Sequence, residues 1–301
     1  MTVAGSRKRP SRLSDLAPFG SDAISVVIST FERPDACERA LRSTLAQTES
    51  PLEVLVCDNG STDETEARMR DWERRDERVR YLRTSRNSGT PAITRNLGIE
   101  HARGDWIAFL DDDDEWLPGK LAAQRVALAT EAADVIATNA LRSDGSIYFT
   151  DASIWRPKRL DLLKANPIVM SSALVRRERL LSVGGFPTDI RVKEPEDYAI
   201  WLELAGRGAR FLILGEVLVR YEDASDDRLS LDRARIQLGV TRLVWKHALR
   251  APVCLAGIKV ALRSSVAVGH VLAAEVWAGL RVRRQNRAGG GRSRVSRGAG
   301  R

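Results

Sequence analysis

Cysteine and histidine are scarce in this chain. Its three cysteines, Cys37, Cys57 and Cys254, are odd in number and widely spaced over 301 residues. That pattern excludes a disulfide framework and a zinc knuckle, and it points to a reducing compartment. The three histidines, His101, His247 and His270, are too scattered for a metal cluster. Long apolar runs are missing as well. No stretch reaches the ~20 apolar residues that a spanning helix requires. Residues 1–20 are basic and polar, without the apolar stretch of a secretory signal. A cytoplasmic protein is therefore expected, at most peripheral on the inner face of the membrane. Acid is absent from one region, 276–301, which carries eight arginines. The net charge of +8 thus belongs to the tail, and the body is balanced. A nucleic-acid-binding fold carries its basic stripe on the folded surface, so no specific nucleic acid is expected.

What is present is a globular composition, 43% hydrophobic and 29% charged, which rules out a disordered or fibrous chain. Residues 1–22 read as a flexible basic leader. Strand and helix patterns then alternate. The run 24–29 (ISVVIS) is continuously apolar and β-branched, as in a strand covered on both faces. Pro34 opens a helix at a position where its missing N–H costs little. Strands are also expected at 53–57, 79–83, 106–110 and 135–138. Helices are expected from Ser61, over 90–102, and from Pro118 to Glu131. This βαβαβαβ order implies an α/β, doubly wound, mostly parallel sheet.

Beyond residue 140 the rhythm changes. Residues 148–163 are irregular. A short helix at 177–181 stops at Gly184-Gly185, another spans 195–206, short strands lie at 211–214 and 217–221, and a helix covers 231–249. Residues 252–284 read as one long basic amphipathic helix, with Lys259, Arg263, His270, Arg281 and Arg284 on one face. Residues 285–301 form a disordered Arg/Gly-rich tail. Two readings of the basic helix stand side by side: docking on anionic lipid, or packing on the main domain before a solvated tail.

Ligands of open α/β sheets bind at the carboxyl ends of the strands. Three strands here run into polar clusters: Thr30-Phe31-Glu32-Arg33, Asp58-Asn59-Gly60-Ser61, and Asp111-Asp112-Asp113-Asp114. Four adjacent carboxylates repel one another, more strongly as water is excluded. A cation relieves that repulsion, and oxygen-only ligands suit Mg²⁺ or Mn²⁺ with positions left open for phosphates. Solvated loop acids near a helix start are the alternative. It suits one or two aspartates better than four after a buried strand.

Together these segments resemble the family 2 glycosyltransferases, inverting enzymes of the GT-A fold. Residues 26–34 (VVISTFERP) are similar to their opening signature and Asp58-Asn59-Gly60-Ser61-Thr62-Asp63 to their second motif. Asn87-Ser88-Gly89 followed by Arg95-Asn96-Leu97-Gly98 is similar to the third. Residues 104–118 (GDWIAFLDDDDEWLP) resemble the DXD segment. Gly184-Gly185-Phe186 and Glu196-Asp197-Tyr198 resemble the later acceptor-side motif. The likeness covers 24–230.

It implies a GT-A domain over 23–232, followed by C-terminal helices at 233–284. It also implies metal-dependent, inverting transfer of a sugar from a nucleoside-diphosphate sugar to an acceptor hydroxyl, in cell-surface glycan biosynthesis. Phe31 would replace a tyrosine that stacks on the base. Asp58 would accept a hydrogen bond from the base, and Thr30, Arg33 and Arg95 would lie near the nucleotide or its phosphates. Asp112 would reach the ribose or sugar. Asp111 and Asp113 would form the metal pair, with Asp113 the direct ligand. Asp197 would be the catalytic base, with Glu196 and Trp201 on the acceptor side. The acceptor would be a glycan or lipid-linked glycan, beside an anionic membrane.

Departures narrow the reading. Residues 220–230 lack the histidine that the family often places after the last strand, and no QxxRW segment or set of spanning helices is present. That favours adding one sugar, or a few, over extruding a polymer. A nucleotidyltransferase would want a glycine-rich phosphate loop after the first strand, and 29–34 has no glycine. A noncatalytic scaffold is the other alternative, against which Asp111, Asp113 and Asp197 argue.

Overall fold

A computed structural model describes residues 22–150, 153–188, 195–223, 230–249 and 258–265. The first half alternates as its pattern implies: β1 (Ile24–Thr30), α1 (Pro34–Leu45), β2 (Glu53–Asp58), α2 (Thr65–Arg75), β3 (Val79–Arg83), α3 (Pro91–His101) and β4 (Trp106–Asp111). Then come β5 (Glu115–Trp116), α4 (Lys120–Thr130), β6 (Val135–Arg142), α5 (Arg159–Lys164), β7 (Leu174–Arg176) and α6 (Arg177–Ser182). The last elements are α7 (Glu196–Gly206), β8 (Phe211–Tyr221) and α8 (Ser230–Leu249).

All eight strands join one sheet in the order β3-β2-β1-β4-β7-β6-β8-β5. Strands β1, β2, β3 and β4 pair in parallel, as do β6 and β8. Strand β7 runs antiparallel to both β4 and β6, and β5 antiparallel to β8. Strands β1, β2 and β4 are apolar on both faces because helices cover both. Val27, Leu55 and Phe109 point into one core layer with Ala92 and Ile99 of α3. Val26, Val54 and Leu110 point into the other with Leu41 of α1 and Met69 of α2. Gly98 lets α3 lie close on β1: a Cβ there would come within 2.5 Å of Val27 Cγ1.

The structure departs from the sequence expectation in four places. Strands β5 and β7 have two and three residues, too short for a periodic signal. The two short strands expected at 211–214 and 217–221 are one, because Gly215-Glu216 forms a bulge with register shifts opposite Asn139. Helix α2 starts after Ser61, which is committed to a turn with Asp58, and Asp63 Oδ1 accepts from Thr65 N at 3.0 Å. Helix α5 stands in the stretch read as irregular.

The C-terminal helices are part of the main core. Leu243, Val244 and Ala248 of α8 and Ala261 are buried in the layer that holds Val27 and Phe109. Residues 258–265 are helical and tied to α8 by Thr241 Oγ1–Ser264 Oγ at 2.9 Å and by Trp245 Nε1 donating to Ser265 Oγ at 2.9 Å. The rest of the helix expected at 252–284, the leader to residue 21 and the tail 285–301 lie outside the described residues. No helix among the described residues is long and apolar enough to cross a membrane.

The topology also sets where a site can form. Strand β1 is flanked by β2 on one side and β4 on the other, so the strand order reverses there. Register places Thr30 opposite Asp58 and Ser29 opposite Asp111. The three polar strand ends are thereby level, at the switch point where open sheets bind ligands.

Candidate functional site

A cleft of about 1630 Å³ opens at those strand ends. Its lining brings together Thr30, Phe31, Arg33, Arg95, Asp111, Asp112, Asp113, Glu196 and Asp197, residues as much as 167 positions apart in sequence.

The four aspartates divide by direction. Asp111 and Asp113 are partly exposed, at 30% and 33% of their side chains, while Asp112 and Asp114 are buried. Asp112 accepts from Thr30 Oγ1 at 2.8 Å and from Arg33 Nη1 at 3.3 Å. Burial, opposed by the Thr30 hydrogen bond, pushes its pKa up to about 6. Arg33 Nη1 also donates to Asp113 Oδ2 at 2.9 Å. Asp114 points inward, accepting from Glu222 N at 2.8 Å and from the Ser171 hydroxyl. Burial and the Asp111 charge raise its pKa to about 8. Ser171 Oγ in turn accepts from Asp111 N at 3.0 Å. One serine thus pins both ends of the acidic turn to the segment before β7.

Arg95, on α3, is 4% exposed and joins two parts of the site. Its Nη2 donates to Asp111 Oδ1 at 2.6 Å and its Nη1 to Glu196 Oε1 at 2.8 Å. Burial alone would lower its pKa, but the two carboxylates outweigh burial and raise it. Asn96, the next residue, clasps the Phe186 backbone, accepting from its N at 2.7 Å and donating to its O at 2.9 Å. Gly185 has φ +77°, and a Cβ there would meet Asn96 Oδ1 at 2.4 Å. This is the physical reason for Gly-Gly-Phe next to Arg-Asn: only a glycine permits so close an approach.

Asp197 lies in the first turn of α7 and lines the same cleft. It accepts from Asn166 Nδ2 at 2.9 Å and from Tyr198 N at 2.7 Å. Burial and the adjacent Glu196 charge raise its pKa to about 6, against the opposing pull of Arg95. A carboxylate so placed is mostly ionised at pH 7 and more basic than an ordinary one.

Two expected positions fall differently. Asp58 is fully buried, with one oxygen taken by Ser61 N and Oγ and the other by the Tyr81 hydroxyl. It holds the turn after β2, and Asn59 is the residue of that turn on the cleft wall. Trp201, expected on the acceptor side, is 0% exposed in the core, one turn beyond the cleft face of α7. Two residues were not visible from motifs: Asn166, which orients Asp197, and Ser171. Both lie in a stretch without periodicity. Glu32 stands at φ 50°, the single positive φ outside glycine among the described residues. Such strain costs about 1–3 kcal/mol and clusters at functional sites. Ser61 Oγ accepts from its N at 2.8 Å and Thr62 Oγ1 donates to its carboxylate at 2.8 Å, which fixes it.

The donor set fits a hard divalent cation. Asp111 and Asp113 offer carboxylate oxygens only, facing the cleft. Among the described residues no three His, Cys, Asp or Glu side chains form a complete set of ligands. Mg²⁺-type ions are commonly held by one or two carboxylates, with ligand phosphates and water filling the remaining positions.

Comparison with known proteins agrees with this fold. The family described as Glycosyl transferase family 2 matches residues 25–176. TuaG of Bacillus subtilis, named as a teichuronic acid biosynthesis glycosyltransferase, is 30% identical over 203 residues, 66% of this chain and 78% of that protein. WfaP of Escherichia coli is named as a UDP-Glc:alpha-D-GlcNAc-diphosphoundecaprenol beta-1,3-glucosyltransferase. It is 27% identical over 194 residues, 63% of this chain and 72% of its own length. Two further curated relatives match over about a third of their length or less. Among solved structures, the mannosyltransferase PcManGT of Pyrobaculum calidifontis, in complex with GDP-Man and Mn²⁺, superposes with a TM-score of 0.58. Its sequence is 20% identical, and the match covers 88% of this chain and 83% of that one.

Proposed function

The chain belongs to glycosyl transferase family 2 and has the GT-A fold of such enzymes; on that footing we propose that it moves a sugar from a nucleoside-diphosphate sugar to an acceptor hydroxyl, with inversion, during cell-surface glycan synthesis. The observation that carries the reading is one cleft with Asp111 and Asp113 on one side, Asp197 on another, and Arg95 tying the two together.

Phe31 offers a flat apolar face to the base, and Arg33 offers a cation beside the diphosphate. Asp111 and Asp113 would hold Mg²⁺ or Mn²⁺, which supplies charge stabilisation to the departing diphosphate. The acceptor hydroxyl is a poor nucleophile at pH 7. Asp197 takes its proton during attack, and Asn166 keeps that carboxylate aimed into the cleft. A single displacement from the face opposite the leaving group inverts the anomeric centre. Arg95 sets the distance between the two halves of this arrangement, because it is bonded to Asp111 and Glu196 at once.

Relatives named for lipid-linked acceptors support an acceptor of that kind, and a place at the cytoplasmic membrane face follows from such a substrate. The test is a thermal-shift panel of UDP-, dTDP- and GDP-sugars, each with Mn²⁺, Mg²⁺ or chelator. A ligand at 100 times its Kd adds about 2.7 kcal/mol of stability. The expected result is an upward shift with one nucleotide class, lost with chelator and in Asp113→Asn. No shift with any donor, in folded protein, would overturn the reading in favour of a noncatalytic scaffold.

A further inference from the structure

The cleft has a second wall, built from α8 and the helical residues 258–265. It presents Val240, Val260, Lys246, Arg263 and Ser264, with Val244 buried behind them. Its cations differ from those at the strand ends. Arg33 and Arg95 each share two carboxylates. Lys246 and Arg263 are exposed to the cleft and form no ion pair among the described residues. At the strand ends the carboxylates thus outnumber the cations and engage both of them, whereas on the helices the two cations have no ion pair among the described residues.

The rest of that wall is apolar. The Ser264 hydroxyl is engaged with Thr241, and beside it Val240 and Val260 are partly buried on the cleft wall. A bare glycan, which needs hydroxyl partners, matches this poorly. An anion joined to a hydrocarbon chain matches it on both counts: phosphate oxygens pair with the two cations, and the carbons cover the valines.

We propose that this helical wall is a subsite for the phosphate-linked lipid of the acceptor. Lys246 and Arg263 hold its phosphate or diphosphate, and the partly buried Val240 and Val260 line the path of its first carbons. The glycan end of such an acceptor is left to reach Asp197 in the same cleft. This rests on the transferase reading but does not share its test.

The experiment titrates the full-length protein with farnesyl diphosphate, inorganic diphosphate and farnesol, by calorimetry. Chelator is present, so that Asp111 and Asp113 recruit no diphosphate through a metal. Farnesyl diphosphate is expected to bind at least tenfold tighter than either fragment. The double variant Lys246→Gln/Arg263→Gln is expected to weaken it at least tenfold. Both side chains are exposed, so the melting temperature of the variant and its response to nucleotide sugar with metal stay as in the parent. Three results would overturn the subsite: unchanged affinity in the double variant; inorganic diphosphate binding as tightly as the farnesyl compound; or a loss seen only in sedimentation with phosphatidylglycerol vesicles, which would assign the cations to a bilayer surface. A parent that binds farnesyl diphosphate as expected but answers to no nucleotide sugar supports the subsite and tells only against the transferase reading.

Discussion

At the amino end of the sheet, Glu53 begins β2 at 0% exposure and Asp134 precedes β6 at 2%. Glu53 accepts from Ser25 Oγ, Arg103 N and Nε, and Arg80 Nη1. Asp134 lies among Arg176, Arg179 and Arg210. At the carboxyl end, Asp112, Asp114 and Asp197 are buried or half-buried too, but among other acids and hydroxyls. Burial pushes every one of these groups toward the neutral acid. At the amino end the arginine and backbone donors outweigh it and the pKa falls. At the carboxyl end they do not, and the pKa rises. The same residue type serves as a structural anchor at one end and a group poised to exchange protons at the other. The difference lies in how many donors the fold aims at it.

The sharpest way to break that contrast is to remove the proton acceptor. Asp197→Asn is expected to lower transfer by about 10²–10⁴-fold while donor binding and melting temperature hold. A variant with unimpaired transfer would remove Asp197 from the chemistry. The matching change at the other end is Glu53→Ala. It strips several donors of one buried acceptor and should cost about 3 kcal/mol, roughly 6–12 °C in melting temperature at 2–4 °C per kcal/mol. Its donor affinity should be unchanged; equal stability would mean that the arginine cluster is decoration.

Acid separates the two ends without mutation. A lowered folded pKa gives Glu53 and Asp134 a contribution to stability that is present above the unfolded carboxyl value of about 4 and lost as pH falls through the folded value. A raised pKa does the reverse: Asp197 contributes stability below about 4 that is lost as pH rises through about 6. At pH 5 the protein should therefore melt no lower than at pH 7. Transfer should fall about tenfold, since one unit below its pKa one carboxyl in eleven remains a base. Melting and rate profiles that decline together would contradict this. The smallest effect is expected at Trp201→Phe. Its indole N–H is buried with no hydrogen-bond partner among the described residues, so the change should leave acceptor KM within about twofold. A large KM change would return Trp201 to the acceptor side.

Much of the architecture is legible in the chain because strands of a buried parallel sheet are local apolar runs, and Pro34 marks a helix start. The strand-end chemistry is legible for the same reason: Asp111 to Asp114 are adjacent. Asp58 and Trp201 show where this stops. The first carries a motif position and the second an expected acceptor-side position, yet the direction of each is set by its partners in the fold, Tyr81 for the first and the core around α7 for the second. Asn166 and Ser171 lacked any local signal, since their roles exist only once the segment before β7 folds against β4 and α7.

By itself, then, the order of residues determined most of the elements, the polar ends of the strands and the kind of chemistry they bear, because those depend on periodicity and neighbours a few residues apart. Only the tertiary structure decided which aspartate faces the cleft and which is buried, that Arg95 spans 101 positions to reach Glu196, and that Lys246 and Arg263 remain without a counter-charge among the described residues. Charge balance at a site is a sum over atoms close in space, and the strands and helices that supply them are brought together from distant parts of the chain by burial of the core.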